Sequence, residues 1–254
     1  MMKRIGKIYQ SMLNETAVLV YKKGMSAYLK DNDPDKALKY LFISAYTGYG
    51  YAYGEIAIIL YREKNEVDNA RKWFKKAEAS DALFPEAAYE YGMLKHLEDG
   101  EWENGLNYLL MAAKEGYAPA YGDIGIIAYL FQDETKEEAF EWFRKAEEAD
   151  CLYPPAACYY GKLFIFNKDD WKQSIKYLRQ AAEGEYAPAY GALGSVYYYW
   201  AEDIDEAERW FVKAEESGCL DASDAHTYGM LLIDDRGDIE RGNYFLDRSE
   251  KEGY

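Results

Sequence analysis

Side chains that could carry chemistry are few in this sequence, and they are scattered. Two histidines, His96 and His226, have neither an acidic residue nor a cysteine at the spacing of a metal site. Three cysteines, Cys151, Cys158 and Cys219, are an odd number without CxxC spacing, which indicates reduced thiols in a cytoplasmic chain. The motifs GxxxxGK[ST], GxGxxG, HExxH and GxSxG do not occur. We therefore expect no catalytic residue, no metal and no cofactor, and hence no enzyme.

Net charge argues against a second class of function, nucleic-acid binding. The chain has 46 Asp and Glu against 30 Lys and Arg, a net charge of −16. Phosphate would repel such a chain, so nucleic-acid binding is disfavoured. The first thirty residues carry a net charge of +5, and the other 224 carry −21. Two interpretations stay open: a solubilising surface with solvated lysines, or an acidic body that attracts a basic partner.

Nothing in the sequence predicts a membrane protein. The N-terminal segment MMKRIGKIYQSMLNET lacks the run of about 7 to 15 apolar residues that a signal peptide needs. No stretch of about 18 apolar residues occurs elsewhere. We expect a cytoplasmic protein without membrane contact.

An internal repeat dominates the sequence. The segment GYAPAYGDIG (116–125) returns as EYAPAYGALG (185–194) and, more loosely, as GYGYAYGEIA (48–57), with shorter copies between them. Together the copies define seven anchor positions, 33 to 36 residues apart: Gly24, Ala57, Gly92, Gly125, Gly161, Gly194 and Gly229. Such a period is typical of helical solenoids, whose units bury their apolar faces against one another.

Each anchor is followed by a second pattern, in which a ring lies between two small residues. The rings lie sixteen residues after the anchor, or seventeen in the fourth repeat: Tyr40, Trp73, Tyr108, Trp142, Tyr177, Trp210 and Phe245. A small residue lies three positions before each ring and another four positions after it. These spacings share one helix face, so we expect the small residues to allow close helix contact and the ring to fill the gap beside them.

Local signals predict where helices begin. Asp33 followed by Pro34 is typical of a helix start, and Asp203 with Glu206 three residues later is a capping box.

The segments ARKWFKKA (70–77), AFEWFRKA (139–146) and AERWFVKA (207–214), with an Ala-x4-Gly in the first helix, resemble the Sel1-like repeats, relatives of the tetratricopeptide repeat. The resemblance covers the chain from about Ala17 to Gly253. It implies an all-α, right-handed superhelical solenoid of about seven antiparallel helix pairs, with helical caps at both ends. We expect a single domain, 1–254, with a capping helix at 1–16 and repeats at 17–48, 49–82, 83–116, 117–151, 152–185, 186–219 and 220–254.

The resemblance also implies a concave groove. In tetratricopeptide units, the residues one and four positions after the anchor face such a groove. The predicted groove residues are Tyr28, Ile58, Tyr61, Met93, His96, Ile126, Tyr129, Lys162, Ile165, Tyr198, Met230 and Ile233. Tyrosines and methionines on an open surface are typical of a protein-binding site. The alternative is that these rings pack between neighbouring repeats.

We predict a monomeric, non-catalytic protein that binds another protein, as an adaptor or scaffold that holds an extended peptide or a helix in the groove. The alternative is a bacterial immunity or inhibitor protein, a role in which Sel1-like repeats occur. Its acidic surface would then cover a basic toxin or nuclease.

Overall fold

Helices joined by short connections make up the computed structural model, which describes residues 2–131, 136–165 and 170–253, with side chains from residue 14 onward. The helices are α1 (Met2–Leu29), α2 (Pro34–Tyr46), α3 (Tyr51–Arg62), α4 (Val67–Ala79), α5 (Pro85–Leu97), α6 (Trp102–Lys114), α7 (Pro119–Phe131), α8 (Lys136–Glu148), α9 (Pro154–Leu163), α10 (Trp171–Glu183), α11 (Pro188–Val196), α12 (Ile204–Glu216), α13 (Ala222–Asp234) and α14 (Ile239–Lys251). A π-helical segment, Tyr197–Ala201, continues α11. These ranges contain no strand, which confirms the predicted all-α fold of about seven helix pairs.

Contacts between Cα atoms divide the chain into two compact units, Met1–Ala120 and Tyr121–Tyr254. We call them the N-terminal unit and the C-terminal unit. In each unit, a helix that carries an anchor pairs with the helix that follows it. We call these the first and second helices of a pair. The single continuous domain and its repeat boundaries stay a prediction.

The N-terminal helix differs from the expected arrangement. A separate capping helix at 1–16 was expected, but α1 continues through residue 16 to Leu29, since no proline interrupts this segment. Apolar residues recur at helical spacing in this segment, and their side chains lie outside the described ones: Ile5, Ile8, Tyr9, Met12 and Leu13.

Side-chain caps begin several helices, as the sequence predicts. Asp33 Oδ1 accepts a hydrogen bond from the backbone N–H of Lys36, at 2.9 Å. Asp203 Oδ1 does the same for the N–H of Glu206, at 3.1 Å. Each bond satisfies an N–H that has no partner inside the helix.

The anchor glycines lie where the two helices of a pair come closest. At six anchors, a Cβ atom added to the glycine would lie 2.6–3.1 Å from a Leu or Phe side chain of the second helix. These side chains are Leu41, Leu109, Phe143, Leu178, Phe211 and Leu246. In two pairs the helix backbones are themselves in contact. A Cβ atom added to Gly92 would lie 2.8 Å from the carbonyl oxygen of Gly105, and one added to Gly229 would lie 2.9 Å from the carbonyl oxygen of Gly242.

The side chain that fills this gap is one position later than predicted. Because each helical residue is rotated by about 100° from the previous one, Phe74 is fully buried whereas Trp73 is half-buried. Among the seven predicted rings, Tyr177 and Phe245 are buried and the other five are half-buried.

The three tryptophans in this row form a repeated surface arrangement. Each packs at a tilt against a tyrosine of the first helix of its pair, with ring centroids 5.8–5.9 Å apart: Tyr53–Trp73, Tyr121–Trp142 and Tyr190–Trp210. The ammonium of the lysine three residues later lies 3.8–4.4 Å from each indole centroid. These rings therefore shield the helix contact from outside rather than fill it.

The small residues on either side of the predicted rings are all buried. Three of them are serines, Ser44, Ser174 and Ser249, and each donates its Oγ–H to a backbone carbonyl of the first helix of its pair, at 2.7–3.0 Å. Each serine hydroxyl can therefore lie buried between the two helices, because its hydrogen bond is satisfied.

We expect Gly92→Ala to lower the free energy of unfolding by about 2–3 kcal/mol, because the new methyl group must push two helix backbones apart. Gly125→Ala should cost less, because its added Cβ meets the Phe143 ring, 2.6 Å away, and a ring can shift. Ala57 shows that an anchor alanine is tolerated. Urea unfolding of both variants measures the difference; an equal loss would contradict the backbone explanation.

Glu185 follows α10 with a φ of +60°, in the left-handed region that costs an ordinary L-residue about 1–2 kcal/mol. We expect Glu185→Gly to raise the free energy of unfolding by about 1 kcal/mol, because glycine adopts this φ without strain. The control is Glu183→Gly, two residues earlier inside the last turn of α10, which should be destabilising. Urea unfolding measures both, and a loss of stability in Glu185→Gly would argue against backbone strain.

Candidate protein-binding surface

Most of the predicted groove residues lie on first helices, whereas Ile165 follows α9 and Tyr198 lies in the π-helical segment. Most of them are half-buried. This set is Tyr28, Tyr61, Met93, His96, Ile126, Tyr129, Lys162, Ile165, Tyr198, Met230 and Ile233. Ile58 is the exception and needs correction, because it is 1 % exposed and cannot contact a partner. The physical reason is that α3 is buried from Gly54 to Leu60, on every side of the helix.

In the N-terminal unit, the predicted tyrosines bridge consecutive repeats. The Tyr28 hydroxyl donates to Glu63 Oε1 at 2.9 Å, across one repeat. Burial, followed by this hydrogen bond, raises the pKa of Tyr28 to about 12. Tyr28 and Tyr61 also pack against the core of this unit. One side of each ring is therefore covered.

In the C-terminal unit, the same rows are partly covered as well. The ring of Tyr129 lies 5.2 Å from that of Tyr159 on the next first helix. Ile165 and Tyr198 pack against the core, and the side chain of Ile233 lies against Gly242 of its own pair. Packing against a neighbouring repeat, or within the same pair for Ile233, thus covers part of the surface of each of these side chains.

Four exposed apolar side chains lie one position beyond the predicted row. Residues five positions after the anchor include Leu29, Leu97, Leu130 and Tyr199, which are 72 %, 61 %, 50 % and 49 % exposed. We call these four residues the edge row. They lie at or near the C-terminal ends of the first helices, and Tyr199 lies in the π-helical segment. Sequence reasoning missed this row, although positions one and five after the anchor lie one helical turn apart.

Three predicted residues of the C-terminal unit, Tyr129, Lys162 and Ile165, line one cavity of about 320 Å³. The other predicted residues do not line it. The cavity also brings in polar residues that sequence reasoning missed, among them Asp221 and Asp224. The only signal for these two was an Asp-x-x-Asp pattern at a helix start: Asp221 Oδ1 accepts from the backbone N–H of Asp224, at 2.8 Å. We call this space the polar cavity.

The two units differ in charge. The C-terminal unit contains 29 Asp and Glu against 14 Lys and Arg, a net charge of −15, whereas the N-terminal unit carries −1. The excess of negative charge is therefore confined to residues 121–254, which creates an electrostatic attraction for basic molecules.

Carboxylates on the first helices of the N-terminal unit are mostly paired. Arg62 forms ion pairs with Glu86 and Glu90. Glu55 is buried and accepts a hydrogen bond from the Tyr21 hydroxyl at 2.9 Å. Burial raises the pKa of Glu55 to about 7, despite the opposing effect of that hydrogen bond.

None of the described helices has the length and apolar character needed to cross a bilayer. Clusters of three or more metal-ligating side chains are also absent from the described residues.

Comparisons with solved structures show the fold. The chain superimposes on the c5321 protective antigen of uropathogenic Escherichia coli, described as an SLR fold, with a TM-score of 0.66 and 18 % identity over 92 % of this chain and 53 % of that one. A Sel1 repeat protein from Oxalobacter formigenes gives a TM-score of 0.61 and 20 % identity, over 91 % of this chain and 96 % of that one. The chain has the fold of a Sel1-like, tetratricopeptide-like repeat protein.

Sequence comparison adds one relative. The uncharacterized protein NMB1327 of Neisseria meningitidis serogroup B is 25 % identical over 183 residues, which cover 68 % of this chain. This chain matches 37 % of the length of that relative. No family model matches the chain.

The raised pKa of Glu55 predicts a pH dependence of stability. Between pH 4.5 and 7 the folded state holds a proton that the unfolded state has lost, so stability falls as the pH rises through this window. We expect Glu55→Gln to raise the free energy of unfolding at pH 8 by about 1–3 kcal/mol and to flatten its decline between pH 5 and 8.

Urea unfolding of the wild type and of Glu55→Gln at several pH values measures this difference. The exposed substitution Glu63→Gln is the control and should not flatten the profile. Parallel profiles for wild type and Glu55→Gln would show that Glu55 is ionised without penalty.

Proposed function

We propose that this chain is a non-catalytic, monomeric scaffold that binds a partner protein along the first helices. One observation carries the proposal: apolar side chains are exposed at the same position of several repeats, in the edge row of Leu29, Leu97, Leu130 and Tyr199. Beside them lie the half-buried tyrosines of the predicted groove. Isolated exposed apolar residues are ordinary, but within each unit they recur at one repeat position, which favours a contact surface on the first helices of that unit.

The structural relatives support this proposal. One of them, with a TM-score of 0.56 and 17 % identity, is described as the APC/C hetero-tetramer Cut9–Hcn1, an assembly of proteins. A helical repeat array lets a partner contact several equivalent helices, so many weak contacts add up to useful affinity. An extended peptide or an amphipathic helix would suit such a row.

The charge of the C-terminal unit favours a second candidate function. A net charge of −15 over residues 121–254 would suit an immunity or inhibitor protein that covers the basic surface of a toxin or nuclease. Ionic strength separates the two: binding through the acidic surface should weaken steeply with added salt, whereas binding through apolar contacts should weaken little.

We expect Leu29→Ser with Leu97→Ser to reduce partner capture at least tenfold, because the substitutions remove exposed apolar contacts of the edge row. The matched control is Ile43→Ser with Tyr244→Ser, which alters residues of second helices that are 51 % and 63 % exposed. Immobilised wild type and both variants are incubated with lysate of the source cells, and bound proteins are quantified by mass spectrometry at low and high salt.

Both variants should keep the melting temperature within a few degrees, because the four side chains are mostly exposed. Equal capture by the edge-row variant and the control would contradict binding along the first helices. Capture that is lost only at high salt would favour the inhibitor function.

A further inference from the structure

The polar cavity of the C-terminal unit contains charged groups that this fold does not require for packing. Its walls come from four first helices and the π-helical segment, and they include Tyr129 on α7, Lys162 on α9, Ser195 on α11, Tyr199, and Asp224 on α13. Its volume of about 320 Å³ exceeds the space that a few ordered waters need.

Asp224 is buried more completely than one hydrogen bond would justify. Its side chain lies against Gly191, and its Oδ1 accepts a hydrogen bond from Ser195 Oγ at 2.7 Å. When it is protonated, Asp224 can also donate a hydrogen bond to the Asp221 carboxylate. A carboxylate has about four acceptor positions, so some of the Asp224 acceptor capacity remains unused by these two side chains. Burial, and then the neighbouring Asp221 carboxylate, raise the pKa of Asp224 to about 7.

Lys162 does not neutralise Asp224 directly. No carboxylate of the described residues lies within 4.0 Å of its ammonium, which therefore forms no ion pair there. Burial lowers the pKa of Lys162, but the nearby Cys158 side chain and the carboxylates of Asp224 and Asp221 raise it by more. The net pKa lies above its usual value, so Lys162 is a cation. The groups that face Asp224 are thus Asp221, Lys162 and the Ser195 hydroxyl.

The charges of Asp221, Asp224 and Lys162 favour the binding of one additional cation. When Asp224 is protonated, the charges of Lys162 and Asp221 cancel. A guest cation can take the place of the Asp224 proton, which passes to the solvent, and the cavity then holds two carboxylates and two cations. An anionic guest would instead meet both aspartates and a unit of net charge −15.

We propose that the polar cavity binds the guanidinium group of an arginine side chain on a basic partner, with Asp224 and Asp221 as acceptors and the rings of Tyr129 and Tyr199 beside it. A guanidinium suits this site better than an ammonium, because its planar fork can bond both carboxylates and stack on an aromatic ring. The proposal rests on the proposed function and names the partner chemistry at one point of the same surface.

The test uses the full chain and L-argininamide, a cation without a carboxylate, with neutral L-citrullinamide as its matched probe. Isothermal titration calorimetry should detect binding of argininamide only. Asp224→Asn and Asp221→Asn should each weaken it at least tenfold, and Asn at 221 can still cap α13. Lys162→Met should strengthen binding, because it removes a repelling charge. Glu216→Gln, an exposed change outside the cavity, is the control.

The pH profile gives a second readout. Because binding displaces the Asp224 proton, argininamide should bind more tightly as the pH rises from 6 to 8, with release of up to one proton per site. Asp224→Asn should abolish both the pH dependence and the proton release. Circular dichroism and the melting temperature establish that each variant is folded.

Several outcomes would overturn the proposal: equal binding of citrullinamide, no binding of argininamide, or weaker binding in Lys162→Met, which would indicate an anionic or zwitterionic guest. The proposed function fails separately. If the edge-row variant loses its partner while argininamide does not bind, the partner surface stands and the arginine pocket does not.

Discussion

Close contact between two helix backbones is the constraint on which the rest of this structure depends. At Gly92 and Gly105 the chain has no side chain on either helix, and a carbonyl oxygen occupies the place where a methyl group would lie. Small residues beside the contact, or serines that bond to the opposite helix, keep the distance short along the whole pair. Since large side chains are excluded from the contact itself, they must lie around it. The buried Leu or Phe and the half-buried ring are therefore consequences of the glycine.

The same constraint explains how a binding surface can arise. When each pair is narrow, successive first helices can lie side by side within a unit, and equivalent positions of that unit form rows. Along the end of α1, the exposed fraction of the side chains then increases from the buried anchor Gly24 to half-buried Tyr28 and to Leu29, which is 72 % exposed. A side chain such as Tyr28 is held by Glu63 and still has a free side. Partly covered rings of this kind lose little conformational freedom on binding, which favours them as contact residues.

Periodicity allowed most of the fold to be predicted. The anchors and the small residues indicate seven helix pairs, and Asp33 and Asp203 cap helices as expected. The burial of Trp73 was predicted wrongly because Trp-Phe places two rings side by side, and spacing does not reveal which one faces the glycine. Ile58 was misplaced since α3 is buried on every side from Gly54 to Leu60. The polar cavity joins residues nearly a hundred positions apart, so no local pattern could reveal it. The difference in charge between the units became visible once their boundary was known.

The contact at the anchor also joins residues that are close in sequence. An anchor glycine meets its Leu or Phe only 17 or 18 residues later, so each pair closes a small loop and has a low contact order. Chains with such local contacts fold quickly, and one pair can form without waiting for distant segments. During synthesis on the ribosome, each helical hairpin can therefore pack onto the pair before it soon after it emerges, and unfolding can begin at one end while pairs further along remain intact.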